Sequence, residues 1–472
     1  MNVSELIAAL PEDDFSPAAN AEWVQGRLQE ILADLAQRPV PAGSLHRLWT
    51  VSELSAQIAL AYLAEWVRQW FSDAEISQRR LMETNLRMAL KMFHRLGYLR
   101  GAMTKLGQTA GNLPRLLPEE VADTLARLQF DSPPMHYPLI REVVRNEFGK
   151  VAEDIFLDFD KEAFAAASLG QVHRARLKSG EPVAVKIQYP GIARTIDADF
   201  RNLSALLFPL RLGKDWESVK SHFEEVRRML NQEVDYVQEA ESTRLAGELF
   251  RPEDGIVVPR VHAECSGKRV LTTDYVPGLH LTDYLATNPT QASRNAFGTK
   301  MYGAWTRMYY AFMPYADPHP GNYLFLNDGR LGLIDFGCVQ RYGPEEREIM
   351  RLADKMTFED PSLMREVVRR VCGISRGDPE LQDYLQMMEE SRAWMMEPMR
   401  QPGPFDFGGD HFQRGLDWFS RTLRKRTTRA NPMYVYWNRS VFGIKALLYR
   451  LRAQVDVHEI VRQERPLMDR SN

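Results

Sequence analysis

Asp317, Asn322 and Asp335 are the residues whose types and spacing could do chemistry. Asp317 opens the run Asp317-Pro318-His319-Pro320-Gly321-Asn322, and Asp335 opens Asp335-Phe336-Gly337 further along. A carboxylate and an amide carbonyl are hard oxygen ligands of the kind Mg²⁺ takes, while a second carboxylate can orient or deprotonate an attacking hydroxyl. Phosphoryl transfer fits that set, with Asn322 and Asp335 on the metal and Asp317 in the base position. Between them stand Tyr323-Leu324-Phe325-Leu326, the turn Asn327-Asp328-Gly329 and Arg330 to Ile334, which predict a hairpin of two apolar strands. Asp-Phe-Gly alone is a weak signal that ordinarily marks a strand ending in a turn, and it gains meaning from the Asn and the hairpin.

Elements upstream must supply the phosphate cradle and its cation. Phe164-Ala165-Ala166-Ala167-Ser168-Leu169-Gly170-Gln171-Val172 precedes a Lys178-Ser179-Gly180-Glu181 turn and the strand Pro182-Val183-Ala184-Val185-Lys186-Ile187-Gln188. Against the glycine loop and Val-Ala-x-Lys strand of kinases, Ala165 and Ala167 stand where the first two glycines would be, while Gly170 and Val172 match. Ala165, Ala166, Ala167, Ser168, Gly170 and Val172 are therefore expected over the phosphates, as a lid stiffer than a glycine one. Lys186 in an apolar strand needs a carboxylate and a phosphate. Glu239, on a helical run expected from about 216 to 250, is the first choice, with Glu233 and Asp235 as a second acidic pair; the bland alternative is a solvated acidic helix face. Leu271 to Gly278 reads as a strand entering a hinge, where backbone groups of Asp274 and Val276 could meet adenine. A helix over about 292–310 leads into the catalytic loop.

The rest of the chain sets limits. Its 472 residues allow two or three domains or one two-lobed unit with added helices. Lys plus Arg number 60 against 63 Asp plus Glu, so nothing predicts nucleic-acid binding. Three separated cysteines, Cys265, Cys338 and Cys372, suit neither a CxxC metal site nor a disulfide framework and point to a reducing compartment. The acidic opening residues do not resemble a signal peptide, and Leu54 to Phe71 and Met433 to Leu451 are broken by charges, so no transmembrane helix and a cytoplasmic location are expected. Residues 1–95 read as a helical extension whose stripe of Tyr62, Trp66, Trp70 and Phe71 is expected to pack. Beyond Gly337 the chain reads as mainly helical, with a surface loop over 401–404 and 408–409 and a solvated basic run at Arg421, Arg424, Lys425, Arg426 and Arg429.

Together these residues closely resemble the UbiB/AarF family of atypical kinases, which includes the coenzyme Q biosynthesis kinases. Lys105-Leu106-Gly107-Gln108 resembles its signature motif, Ala165 to Val172 its alanine-rich loop and Glu233-Val234-Asp235 its acidic motif, with Asp317 to Asn322 and the Asp335 triplet completing the set over about 95–345. The resemblance implies an α+β, bilobal protein-kinase-like fold with family-specific helical extensions, mainly α outside the N-lobe sheet. Its expected parts are a helical extension at 1–95, an N-lobe at 96–275 with the Lys-Leu-Gly-Gln segment, and a helical C-lobe at 276–472. It gives ATP or ADP phosphates to Lys186, the ion pair to Glu239, Mg²⁺ to Asn322 and Asp335, and the base position to Asp317. Lys105 and Gln108 would contact Glu233 and Asp235, as a restraint over the site. It further implies lipid or quinone intermediates and a peripheral membrane surface as partners.

Departures from ordinary protein kinases narrow the reading. Tyr315-Ala316-Asp317 replaces His-Arg-Asp and no Ala-Pro-Glu follows, so activation-loop phosphorylation is not expected to control the site. His319 between two prolines is expected to be a structural hydrogen-bonder. Three functions compete: an Mg-ATP-dependent atypical kinase or ATPase supporting ubiquinone or other isoprenoid-lipid metabolism, a small-molecule phosphotransferase, and a nucleotide-binding scaffold without useful turnover.

Overall fold

Alternation along Pro182–Gln188 sets up the site before any helix is placed. Val183, Val185 and Ile187 are buried, which turns Lys186 to the opposite face of the strand. The computed structural model describes residues 136–167, 169–190, 192, 227–228, 231–374, 377–400, 402–424 and 432–470. The chain divides into two compact units, one of 1–133 with 191–219 and one of 134–190 with 220–472, and every described residue except Ile192 belongs to the second.

The first part of that second unit is a four-stranded antiparallel sheet in the order β1-β2-β3-β5, built from β1 (Asp158–Ala167), β2 (Gly170–Arg176), β3 (Pro182–Gln188) and β5 (Val270–Asp274). Helix α1 (Tyr137–Phe148) has Pro138 in its first turn and ends at Gly149, whose φ of 68° suits the left-handed cap that glycine adopts cheaply. A short α2 (Ala152–Ile155) follows it. Ile140, Val143 and Val144 of α1 meet Phe156, Phe159, Val183, Val185, Ile187 and Val270 in one core. Each such aliphatic side chain contributes about 1.5–3 kcal/mol by leaving water. The expected lid hairpin forms, with Ala165 opposite Val172, Ala166 opposite Gln171 and Ala167 opposite Gly170.

The helical run expected over 216–250 is interrupted. At Asp235 the backbone leaves helical geometry, and the side chain accepts a hydrogen bond from the Gln238 N–H at 2.9 Å, starting α3 (Tyr236–Leu249). An Asp at this position satisfies an end donor that a continuous helix would not leave free, and this moves Glu239 into the first turn of a new helix.

A second sheet, ordered β4-β7-β6, connects the Asp317–Asn322 segment to Asp335. It comprises β4 (Ile256–Val257), β6 (Tyr323–Phe325) and β7 (Leu331–Leu333), with Gly329 at φ 82° in the expected hairpin turn. Beneath it runs α5 (Gln291–Tyr310), capped by Thr290, after a short α4 (Leu281–Ala286). Helices α6 (Pro344–Phe358), α7 (Met364–Cys372), α8 (Leu381–Met396), α9 (His411–Arg424), α10 (Pro432–Leu451), α11 (Val457–Glu464) and α12 (Leu467–Arg470) build the rest of this helical lobe around one aromatic-rich core.

Between the expected loop segments at 401–404 and 408–409 the chain returns to the core: Phe405–Asp406 forms β8, paired antiparallel with β9 (Gln454–Val455), and Phe407 is fully buried. The Pro and Gly residues there turn the chain, but the apolar Phe407 draws it back into the core. Lys105, Gln108, Ser168, residues 1–95 and Lys425, Arg426 and Arg429 lie outside the described residues.

Candidate active site

Lys186 arrives from β3, Glu239 from the first turn of α3, and Asp335 from the end of the β6–β7 hairpin. The Lys186 Nζ lies 2.7 and 2.9 Å from the two Glu239 oxygens and 3.1 Å from Asp335 Oδ2. The Tyr236 ring sits 5.1 Å from the ammonium, giving the lysine an aromatic floor. Burial works against the charge on Lys186, but Asp335 and Glu239 outweigh it and hold its pKa well above the ordinary lysine value. Burial, opposed by Lys186 and reinforced by Asp335, pushes the Glu239 carboxyl up to about 7. Lys186 keeps its charge and faces both carboxyls, so once Glu239 as well as Asp335 is ionised the two carboxylates bring more negative charge than one ammonium offsets and the site suits another cation.

Gly170 closes the lid end of the site. A Cβ there would stand 2.4 Å from the Ile187 carbonyl oxygen and 3.0 Å from the Tyr236 hydroxyl, so only glycine lets β2, β3 and the tyrosine meet. At the hinge, the Asp274 N–H goes to the Arg260 carbonyl and its carboxylate to His262 Nε2 at 2.7 Å. The Val276 side chain packs on Leu324 and Leu326.

The catalytic loop is fixed from both sides. Asn322 Nδ2 donates to the Asp317 carbonyl at 2.9 Å, and His319 Nδ1 accepts from the Gly321 N–H at 3.1 Å, the structural role expected of that histidine. Tyr315, which stands where kinases carry histidine, donates its hydroxyl to the Asp335 carbonyl at 2.8 Å, while Asp335 Oδ1 accepts from the Gly337 N–H at 3.0 Å. Burial keeps the Tyr315 phenol protonated. Because the Asn322 amide nitrogen is spent on the loop, its oxygen is the atom it can offer a metal. With Asp335 it makes a hard-oxygen donor set that fits Mg²⁺.

The acidic motif divides. Asp235 is exposed and caps α3, whereas Glu233 accepts the Cys338 S–H at 3.2 Å. Glu233, Asp317 and Cys338 place one potential ligand atom each within 4.8 Å of one another, but this is not the expected metal pair of Asn322 and Asp335. A cation already serves it: Arg439 Nη2 of α10 lies 3.1 Å from Asp317 Oδ1.

Arg439, Cys338 and Tyr236 were not among the residues expected from sequence. Cys338 directly follows Asp-Phe-Gly, and Arg439 stands as a charge inside an apolar helix, so each leaves a trace. Tyr236 leaves none beyond its place three residues before Glu239.

A family model described as the ABC1 atypical kinase-like domain matches residues 127–367. The ACTIVITY OF BC1 COMPLEX KINASE 8 protein, chloroplastic, of Arabidopsis thaliana is 31% identical over 378 residues, covering 75% of this chain and 49% of that protein. AarF domain-containing protein kinase 1 of Mus musculus is 30% identical over 348 residues, covering 72% and 65%. The mitochondrial atypical kinase COQ8 of Schizosaccharomyces pombe is 31% identical over 314 residues, covering 65% and 50%. The chain thus spans about half to two thirds of the length of these relatives. The solved structure of Rv3197 in complex with erythromycin, from Mycobacterium tuberculosis, superposes with a TM-score of 0.51 at 24% identity over 85% of this chain and 100% of that one, a likeness of fold. With a kinase-like arrangement of lysine, glutamate and aspartate inside the region that the family model covers, the chain belongs to the ABC1, or UbiB/AarF, family of atypical kinases.

Proposed function

We propose that this protein is an Mg-ATP-dependent atypical kinase or ATPase that supports ubiquinone or other isoprenoid-lipid metabolism. One observation carries the reading: Lys186 lies within 3.1 Å of both Glu239 and Asp335, residues far apart in sequence whose convergence is the kinase arrangement around a nucleotide phosphate. Membership of an atypical kinase family supports it, and the likeness to the mitochondrial atypical kinase COQ8 supports the pathway.

In the proposed mechanism Lys186 holds phosphate oxygens, and Glu239 keeps the ammonium aimed at them. Gly170 and the alanines of β1 let the lid backbone approach the phosphates. Mg²⁺, held by Asn322 and Asp335, would neutralise charge on the transferring group. Asp317 orients the attacking hydroxyl or water and accepts its proton as the new bond to phosphorus forms and the bond to the nucleoside diphosphate breaks. No helix among the described residues is long and apolar enough to cross a membrane.

Calorimetric titration with ATP and ADP, with and without Mg²⁺, tests the site. The wild type should bind, Lys186→Ala should not, and Asp335→Asn should lose the Mg²⁺-dependent part of the affinity and all turnover. Quinone profiling of cells carrying Asp335→Asn tests the pathway, with accumulation of a precursor expected. An unchanged quinone pool would remove the pathway half, and full rescue by Asp335→Asn would favour a scaffold over an enzyme. Transfer of labelled phosphate to a hydroxylated metabolite would favour a small-molecule phosphotransferase.

A further inference from the structure

Helix α10 lies outside residues 127–367, yet it lays one stripe of side chains against the catalytic loop. Positions 436, 439, 440 and 443 recur at helical spacing on that face. The Tyr436 hydroxyl donates to Gln232 Oε1 at 3.0 Å, and its ring packs on Ala316. Ser440 donates to the Tyr315 carbonyl and accepts from Trp305 Nε1, both at 2.6 Å. Gly443 sits where a Cβ would be 2.5 Å from Pro318 Cγ. At the centre of the stripe Arg439 reaches Asp317 Oδ1, with the two side chains only 10% and 14% exposed.

The loop's own sequence cannot fix Asp317. Pro318 and Pro320 restrain the backbone, but the carboxylate keeps its side-chain torsions, and next to phosphates it would be repelled and turn away. A guanidinium presents donors in a rigid fork and stays charged when buried, so it can hold one carboxylate oxygen in a fixed place where a water could not. A cation for the aspartate of this loop is thereby supplied from a distant helix.

We propose that Arg439 is a positioning residue for phosphoryl transfer, holding one oxygen of Asp317 so that the carboxylate meets the attacking oxygen in line with the phosphorus. The proposal rests on the phosphoryl-transfer reading above. It treats α10 as part of the catalytic apparatus and not only as scaffold.

The test compares steady-state nucleotide turnover and nucleotide affinity for the wild type, Arg439→Gln, Arg439→Lys, Asp317→Asn and the Arg439→Gln/Asp317→Asn double variant. Misplacing a reacting group by about an ångström costs on the order of 100-fold. Arg439→Gln should therefore lower kcat by about that factor, with KM and nucleotide Kd held within about twofold. Arg439→Lys, which keeps the charge without the fork, should recover part of the loss. In the Asp317→Asn background, Arg439→Gln should change kcat by less than about twofold, because its target is already gone. The double variant also removes both charges together, so it remains informative if Arg439→Gln alone does not fold. Equal losses in both backgrounds, or a KM rise that matches the fall in kcat, would overturn the positioning role. A wild type without turnover sensitive to Asp335→Asn would instead overturn the phosphoryl-transfer reading, and the proposal with it.

Discussion

Lys186 and Asp335 meet at 3.1 Å although one lies inside a strand of the first sheet and the other follows the β6–β7 hairpin. Glu239 completes the contact at 2.7 Å. Lys186→Met should leave two carboxylates facing each other without a cation. The ammonium that would hold the phosphates is then gone, so nucleotide affinity should fall about 100-fold, and the unbalanced, part-buried carboxylates should lower the melting temperature as well. Glu239→Gln keeps the lysine paired to Asp335 and should weaken binding by a smaller factor, about tenfold. Calorimetry and thermal melts on the two variants check the order; equal affinities would contradict it.

Gly170 makes a second, purely steric prediction. Its missing side chain allows the Ile187 carbonyl to approach to 2.4 Å of the Cβ position, and that carbonyl is backbone in a paired strand. Gly170→Ala must therefore separate β2 from β3 or displace Tyr236, the floor under Lys186. A cost of about 1–3 kcal/mol is expected, and nucleotide affinity should fall with it. Thermal melts and nucleotide titration read both effects. Undiminished affinity would show that the lid end and the lysine are not mechanically linked.

Much of the machinery was legible in the sequence because it is local. Lys186 follows from the alternation of Val183, Val185 and Ile187, and the β6–β7 hairpin from its Asn-Asp-Gly turn. Glu239 was recoverable as an acid on a helix, but the break at Asp235 was not, since one Asp can sit mid-helix or cap a new one with the same neighbours. Arg439 and Lys445 in sequence only interrupt an apolar helix. Their partners, Asp317 and His411, are set by packing over 122 and 34 residues, which no local pattern encodes. The pairing of β8 with β9 is hidden for the same reason.

Gly443 yields a prediction about α10. Its neighbour Pro318 is a rigid ring in the catalytic loop, and a Cβ would stand 2.5 Å from Pro318 Cγ and 3.1 Å from its carbonyl oxygen. Gly443→Ala should push the helix from the loop and lengthen the Arg439–Asp317 contact. Turnover should fall about tenfold or more with nucleotide affinity little changed, because Lys186 and Asp335 lie on other elements. Stopped or steady-state turnover assays beside calorimetry separate the two; a loss of affinity equal to the loss of rate would point to general unfolding.

His411 should make the helical lobe sensitive to acid. It is buried with Nδ1 3.0 Å from Glu397 Oε2 and Nε2 2.9 Å from Lys445 Nζ, while Arg414 also pairs with Glu397 and the Trp394 ring lies 3.7 Å from the lysine. These partners assign the neutral tautomer, in which Nδ1–H donates to Glu397 and Nε2 accepts from Lys445. Burial first, and then the Lys445 charge, push the imidazole from 6.5 down to about 3. The folded protein therefore refuses a proton that the unfolded chain takes up between pH 6.5 and 3. Stability is fully present above 6.5 and falls through that window by up to about 1.4 kcal/mol per pH unit. Lys445 has the same sign at higher pH: burial, with only Glu397 resisting, lowers it from 10.5 to about 7, so its burial penalty is complete below 7 and fades as pH rises toward 10.5. Thermal melts of the wild type and of His411→Gln at intervals from pH 4 to 7 read the first effect directly. The glutamine can still donate to Glu397 and accept from Lys445 but cannot titrate, so its melting temperature should fall less steeply on acidification. Parallel curves would show that the acid sensitivity comes from other groups than this histidine.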